Sequence, residues 1–230
     1  MSDRFFFPGP LGIGEVTLEG PEAHHLANVR RFGIGDAVTL FNGDGHEYLA
    51  SVVEIGKKRV VLQVIKVESP NRELPFTLHI ASALPKGDRG DFLIEKLTEL
   101  GVTDVTPLIA DRSVVKAGDA KIDKLQRAVI EASKQCGRNV LLRVHPPAHW
   151  TEWCVRQSGR RFIADPKGAT NRQLNREDVI VAIGPEGGFA PQELQAATLA
   201  GWETLSLGPR ILRIETAAFV AAAILARPEC

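Results

Sequence analysis

Residues 179–191 read VIVAIGPEGGFAP, and this stretch changes character halfway along. Val179-Ile180-Val181-Ala182-Ile183 is a short apolar run of mostly β-branched residues and reads as a strand. It leads directly into Gly184-Pro185-Glu186-Gly187-Gly188-Phe189, and Pro191 stands where a helix can start. Three glycines within five residues let backbone amides approach a ligand without obstruction by side chains. In open α/β sheets ligands sit beyond the carboxyl ends of strands, so this loop is a candidate site.

The same alternation extends in both directions. Downstream, residues 204–207 read as a strand, followed by Gly208-Pro209-Arg210-Ile211-Leu212-Arg213-Ile214-Glu215-Thr216-Ala217 and a helix over 216–226. Upstream, 76–84 is strand-like, and Asp88 is expected to cap a helix whose stripe is Leu93, Leu97 and Leu100, closed by Gly101. Further strands are expected at 102–109 and 161–164. A helix follows 191, and another carries Ile122, Leu125, Val129, Ala132 and Cys136 on one face up to Gly137. This pattern predicts an α/β domain over 76–230 with a mainly parallel sheet. The prolines in Ser69-Pro70-Asn71-Arg72-Glu73-Leu74-Pro75 mark a linker. Before it, β-prone runs at 37–41, 47–53 and 60–65 alternate with the turns Asn42-Gly43-Asp44-Gly45 and Gly56-Lys57-Lys58-Arg59. They predict a small β-barrel or sandwich over 1–70, with one short helical piece at 24–29.

Composition is neutral on function. Twenty-eight Lys and Arg balance twenty-eight Asp and Glu, so any nucleic-acid site must be a local patch. Residues 217–226 form the longest apolar run, half the length needed to cross a bilayer. No basic-then-apolar leader opens the sequence, and Cys136, Cys154 and Cys230 include no CxxC; free thiols in a reducing cytoplasm are expected.

Neither glycine-rich stretch matches GxGxxG or GxxxxGK[ST], which disfavours a dinucleotide enzyme or a kinase. Glu186 would repel a phosphate placed against its loop. A ligand with hydroxyls and positive charge fits better, and S-adenosylmethionine carries ribose hydroxyls, an ammonium and a sulfonium. The alternative is a pair of tight turns that merely close the sheet.

Five motifs in order, KGDRGDFLIEKLTELGV (86–102), PLIADRSVVK (107–116), EASKQCGRN (131–139), IGPEGGF (183–189) and LGPRILRIETA (207–217), resemble the ribosomal small subunit methyltransferase E family. HHLANVRRFGIGDAVTLFNGDG (24–45) resembles its N-terminal PUA-like barrel, so the likeness covers nearly the whole sequence. Three departures are Ile214 for a common Thr, Lys134-Gln135-Cys136 for Glu-Gln-Ser, and Val29-Arg30-Arg31 for Val-Leu-Arg. The resemblance implies a SPOUT-class domain, trefoil-knotted with a mainly parallel sheet, behind a PUA-like β-barrel. It implies a homodimer that uses S-adenosyl-L-methionine to methylate N3 of a uridine in 16S ribosomal RNA, free or in the small ribosomal subunit. It places Ile183, Gly184, Gly188, Leu207, Gly208 and Leu212 around the cofactor, with Glu186, Gly187 and Ile211 of the same loops.

Uridine N3 is a poor nucleophile until its proton leaves, so a cation aimed at the uracil oxygens and a general base are the parts to seek. Arg213 and Arg138 are the candidate cations. Glu215 is the nearest candidate base, but its place at a helix start lowers its basicity and suits it better to capping or to orienting an arginine. Arg4, Arg30, Arg31, Lys86 and Arg89 are candidate RNA contacts. No metal is expected: His24-His25 begins the helical piece, and His145 and His149 flank two prolines. Asp88, Asp91, Glu95 and Glu99 read as a solvated helix face. The competing function is a non-catalytic RNA-binding or ribosome-assembly factor on the same fold, against which both intact glycine-rich loops argue.

Overall fold

The computed structural model describes residues 3–115, 118–169 and 177–226, so Lys116 of the second motif and Cys230 lie outside the described residues. The chain forms two compact units. One takes residues up to Glu73 together with Ser133–Leu141, and the other takes Leu74–Ala132 with the chain from Leu142 onward.

In the first unit, β1 (Arg4–Phe6), β2 (Gly14–Glu19), β3 (Ala37–Phe41), β4 (Glu47–Ile55) and β5 (Arg59–Glu68) form one sheet in the order β1-β3-β4-β5-β2. All its pairings are antiparallel except that of β1 with β3. Strand side chains alternate between faces, and Val38, Leu40, Ala50, Val52, Leu62 and Val64 point to the core beside Phe5 and Leu18. Between β2 and β3, α1 (Gly20–His24) continues as a π-helical turn, His25–Val29. The helical piece thus begins earlier than the sequence reading placed it, because Pro21 in the first turn has its φ already set for a helix.

Ser133–Leu141 belongs to this unit through polar contacts. Arg138, 3% exposed, donates from Nε and Nη2 to Glu73 Oε2 at 3.1 and 2.5 Å. Lys134 pairs with Glu22 at 2.8 Å, Arg4 donates to Asn139 Oδ1 at 2.6 Å, and Val140 bridges to Asp44.

The second unit holds β6 (Leu78–Ala83), α2 (Arg89–Glu99), β7 (Asp104–Ile109), most of α3 (Asp119–Cys136), β8 (Arg143–Val144), β9 (Ala148–His149), α4 (Trp150–Cys154), β10 (Arg160–Ala169), β11 (Val179–Ile183), α5 (Pro191–Leu199), β12 (Glu203–Leu205) and α6 (Ile214–Leu225). Its sheet runs β12-β10-β11-β6-β7-β8, with β9 beside β7, and every pairing is parallel. α6 packs against α2, β6 and β11 through Ile214, Ala217, Ala218, Ala221, Ala222 and Leu225, one stripe at helical spacing. Ala81, Leu108, Ile163 and Ala182 from four strands meet Trp150, Phe189, Ala197 and Trp202 in a further core. From β6 the chain proceeds to β7 and β8 on one side, then crosses to β10, β11 and β12 on the other. That reversal opens a crevice at the carboxyl ends of the strands.

Asp88 does not cap α2 as expected. It stands at the N-cap with helical dihedrals (φ −79°, ψ −3°) and makes no side-chain cap bond. Its carboxylate instead accepts from Lys124 at 3.1 Å. Asp91, Glu95 and Glu99 likewise pair with Lys124 or Lys96.

Candidate functional site

Three strands converge on one cavity of about 270 Å³. β11 delivers Ile183 and the loop Gly184–Phe189, β12 leads into Leu207–Leu212, and β10 adds Ala164, Asp165 and Pro166. All nine residues expected around the cofactor line it: Ile183, Gly184, Glu186, Gly187, Gly188, Leu207, Gly208, Ile211 and Leu212. Two glycines are required by geometry. A Cβ on Gly184 would lie 2.9 Å from the Phe189 ring, and Gly188 has φ +67°, a conformation that side chains disfavour. Apolar walls come from Ile183, Leu207, Leu212 and Ala217, while Ile211, 92% exposed, forms the lip. Glu186 and Asp165 are the cavity's carboxylates.

The candidate catalytic residues stand in different settings. Glu215 is 6% exposed; its Oε1 accepts from Arg89 Nη1 at 3.2 Å, and its Oε2 is buried with no hydrogen-bond partner among the described residues. Arg89 also faces Glu186 at 3.8 Å, so one guanidinium bridges the Gly184–Phe189 loop and the start of α6. The arginine that Glu215 pairs with is Arg89. Arg213 is exposed at the N-cap of α6, beside the cavity residues Leu212 and Ile214. Arg138 lies in the first unit and does not line the cavity.

Of the other RNA candidates, Arg4 pairs with Glu47 and lies over Phe41, and Arg30 pairs with Asp3 at 2.6 Å. Arg31 and Lys86 are exposed, and Arg31 has φ +58°.

Sequence reasoning passed over several residues. Asp165 and Pro166 follow the strand expected to end at 164, so the strand-end rule could have found them. The same rule applies after β7, where Arg112 Nη1 donates to Gly187 O at 2.7 Å. Glu193 stands two residues after the helix-starting Pro191, where a capping glutamate is read from sequence, and Phe189 closes the quoted IGPEGGF motif.

At the opposite ends of the strands lies a polar cluster. His79 Nε2 meets Thr106 Oγ1 at 2.8 Å, and the ring stacks on His145, which meets Asp104 at 2.7 Å. Burial pushes the His79 pKa down to about 4. Among the described residues no group of three or more His, Cys, Asp or Glu could hold a metal ion, and no helix is long and apolar enough to cross a membrane. Cys136 and Cys154 are free thiols.

Comparison with known proteins agrees with this geometry. Residues 72–226 match a family model described as an RNA methyltransferase domain, and 18–65 match an RNA methyltransferase PUA domain. The ribosomal RNA small subunit methyltransferase E of Buchnera aphidicola is 30% identical over 228 residues, 95% of this chain and 90% of that protein. The Bacillus subtilis protein of the same name is 34% identical over 218 residues, 87% of this chain and 85% of its own. A ribosomal RNA small subunit methyltransferase E from Neisseria gonorrhoeae, solved bound to S-adenosyl methionine, superposes with a TM-score of 0.91 at 31% identity, covering 98% of this chain and 97% of the other. A Legionella pneumophila protein assigned as a methyltransferase and solved with bound SAM gives a TM-score of 0.92 at 35% identity, with the same coverage.

Proposed function

Because the chain belongs to the ribosomal RNA small subunit methyltransferase E family and is an S-adenosylmethionine-dependent rRNA methyltransferase, we propose that it methylates N3 of one uridine in 16S ribosomal RNA. The carrying observation is the cavity beside β10 and at the ends of β11 and β12, with exposed Arg213 next to it. The residues present fit the cofactor. Glycine backbone and apolar walls suit an adenine face, and the Glu186 and Asp165 carboxylates suit hydroxyls and an ammonium. Bound there, S-adenosylmethionine supplies an electrophilic methyl group.

The protein's own task is then to hold uracil in line and favour loss of the N3 proton to solvent water. Arg213 directs its guanidinium to the uracil oxygens, where negative charge builds as the proton leaves. Glu215 fixes Arg89, and Arg89 fixes Glu186 at the mouth of the cavity. Arg138, already bonded to both carboxylate oxygens of Glu73, has a structural task. Arg30, Arg31 and Lys86 contact the RNA backbone, with the PUA-like unit guiding the substrate. The enzyme works on ribosomal RNA in the cytoplasm as a homodimer. Exposed Phe92 and Ile224, with Phe219 edge-on to Phe92, give α2 and α6 an apolar face for a second copy.

The test is mass spectrometry of 16S RNA fragments from cells lacking the protein, before and after incubation with purified enzyme. A methyl group returning to N3 of a single uridine is expected. Restoration at another base or another ring atom would refute the assignment.

A further inference from the structure

Glu193 is buried to 1% exposure, and no ion pair engages it among the described residues. An isolated carboxylate is costly to bury unless its oxygens are satisfied. Here each accepts one backbone N–H: Oε2 from Ala190 at 2.7 Å and Oε1 from Asp111 at 3.0 Å. The Ala190 bond is the usual service of a Glu at the third position of a helix. The Asp111 bond is not, because Asp111 follows β7 and is 82 residues away in sequence.

That second bond joins two loops. Arg112, next to Asp111, holds Gly187 O at 2.7 Å, so consecutive residues grip the cofactor loop at Gly187 and, through Glu193, at Ala190. Their own turn is closed by Ser113, whose N–H donates to Ala110 O while its hydroxyl accepts from Ala110 N, both at 2.9 Å. Between the two grips lies Phe189, whose ring blocks a side chain at Gly184 and packs 4.7 Å from Trp150. Trp150 donates in turn to the Glu193 carbonyl at 3.2 Å. The gripped segment contains cavity-lining Gly187, Gly188 and Phe189.

We infer that Glu193 is a positioning residue for the cofactor loop, setting its shape by joining it to the loop after β7. This rests on the reading that the cavity holds S-adenosylmethionine. It sets Glu193 apart from a simple helix cap, which would affect stability alone.

Glu193→Gln and Glu193→Asp in the full-length protein test it. The Gln amide places N–H groups against a backbone donor and loses one bond. Asp keeps a carboxylate in the first turn of α5 but is one methylene too short to span both donors. Each variant should raise the KM for S-adenosylmethionine roughly tenfold, as expected for one lost charged hydrogen bond, and leave the KM for RNA unchanged. Gln192→Ala, which removes only the exposed bond to the Asp111 carboxylate, should behave as wild type. Should the Gln variant fail to fold, the Asp variant decides. Lower thermal midpoints with wild-type cofactor KM in both would overturn the inference and leave Glu193 a cap. Gly188→Val in the same assay separates the two readings. If it abolishes cofactor binding, the cavity reading survives that outcome; if it too binds normally, both readings fall.

Discussion

Gly184 has no room for a side chain. The nearest atoms to an added Cβ, at 2.9 and 3.0 Å, belong to the Phe189 ring, which is itself packed against Trp150. Overpacking of this kind costs about 1–3 kcal/mol, so Gly184→Ala should weaken S-adenosylmethionine binding by roughly tenfold or more, measured by calorimetry. Wild-type affinity would mean that the ring yields and that the loop shape is not critical. Arg213 calls for kinetics, because a donor aimed at charge that develops only during reaction stabilises the transition state more than the bound substrate. Arg213→Ala should slow single-turnover methylation at saturating cofactor by on the order of 10²–10³. A parallel fall in cofactor affinity would make it an anchor for the cofactor instead. His79 is a residue whose cost is set by pH. It is neutral when folded, because burial lowers its pKa to about 4 while Asp104 only partly compensates. The unfolded chain protonates through about 6.5. Between those values the unfolded state holds more protons, so stability should fall as pH falls through that window, by on the order of 3 kcal/mol at most. Urea unfolding at about pH 7 and about pH 5 measures it, and His79→Asn should flatten the difference; an equal slope in the variant would assign the effect elsewhere.

The elements with strong periodicity were legible in the sequence. β11 spans Val179–Ile183 as read, and α2, α5 and α6 fall within a few residues of their expected spans, because each has a clear stripe or a proline and glycine at its ends. Short elements were not. β1 is three residues long and is defined by its pairing with β3, and β8 and β9 are two residues each. Pairing partners distant in sequence create such strands, and local propensity carries no trace of them. α4 was hidden for a different reason. Trp150 and Trp153 are held by packing against Trp202 and, for Trp150, Phe189, contacts that no stripe within a five-residue helix announces. The same distinction applies to the site. Glycine loops after strands stand out in the sequence, whereas Arg89 reached Glu215 through a contact 126 residues long, and Arg138 turned toward Glu73 rather than the cavity. The apolar run 217–226 does not say which side of α6 faces the core; the fold buries one stripe and leaves Ile224 outside.

At the scale of the whole molecule, the last turn of α3 and the segment after it belong with the N-terminal sheet, so the linker is a poor place to cut. A fragment of residues 76–230 would keep Arg138 and Lys134 but lose Glu73 and Glu22, their carboxylate partners. Removing one carboxylate partner from a buried cation costs up to about 3–5 kcal/mol, with the lower end expected here because Glu73 is partly exposed. The fragment should melt well below the full chain in scanning calorimetry, while still binding S-adenosylmethionine when folded and methylating RNA poorly. A fragment as stable as the parent would show that these pairs contribute nothing. The distribution of chromophores has a practical corollary. All three tryptophans, Trp150, Trp153 and Trp202, form one aromatic cluster in the catalytic unit, and the single tyrosine, Tyr48, lies in the other. Indole emission is therefore a natural dye for the catalytic unit alone, separated from the cavity only by the Phe189 ring. No tryptophan lies in the PUA-like unit, so the catalytic unit can be followed through a titration or melt without attaching a label.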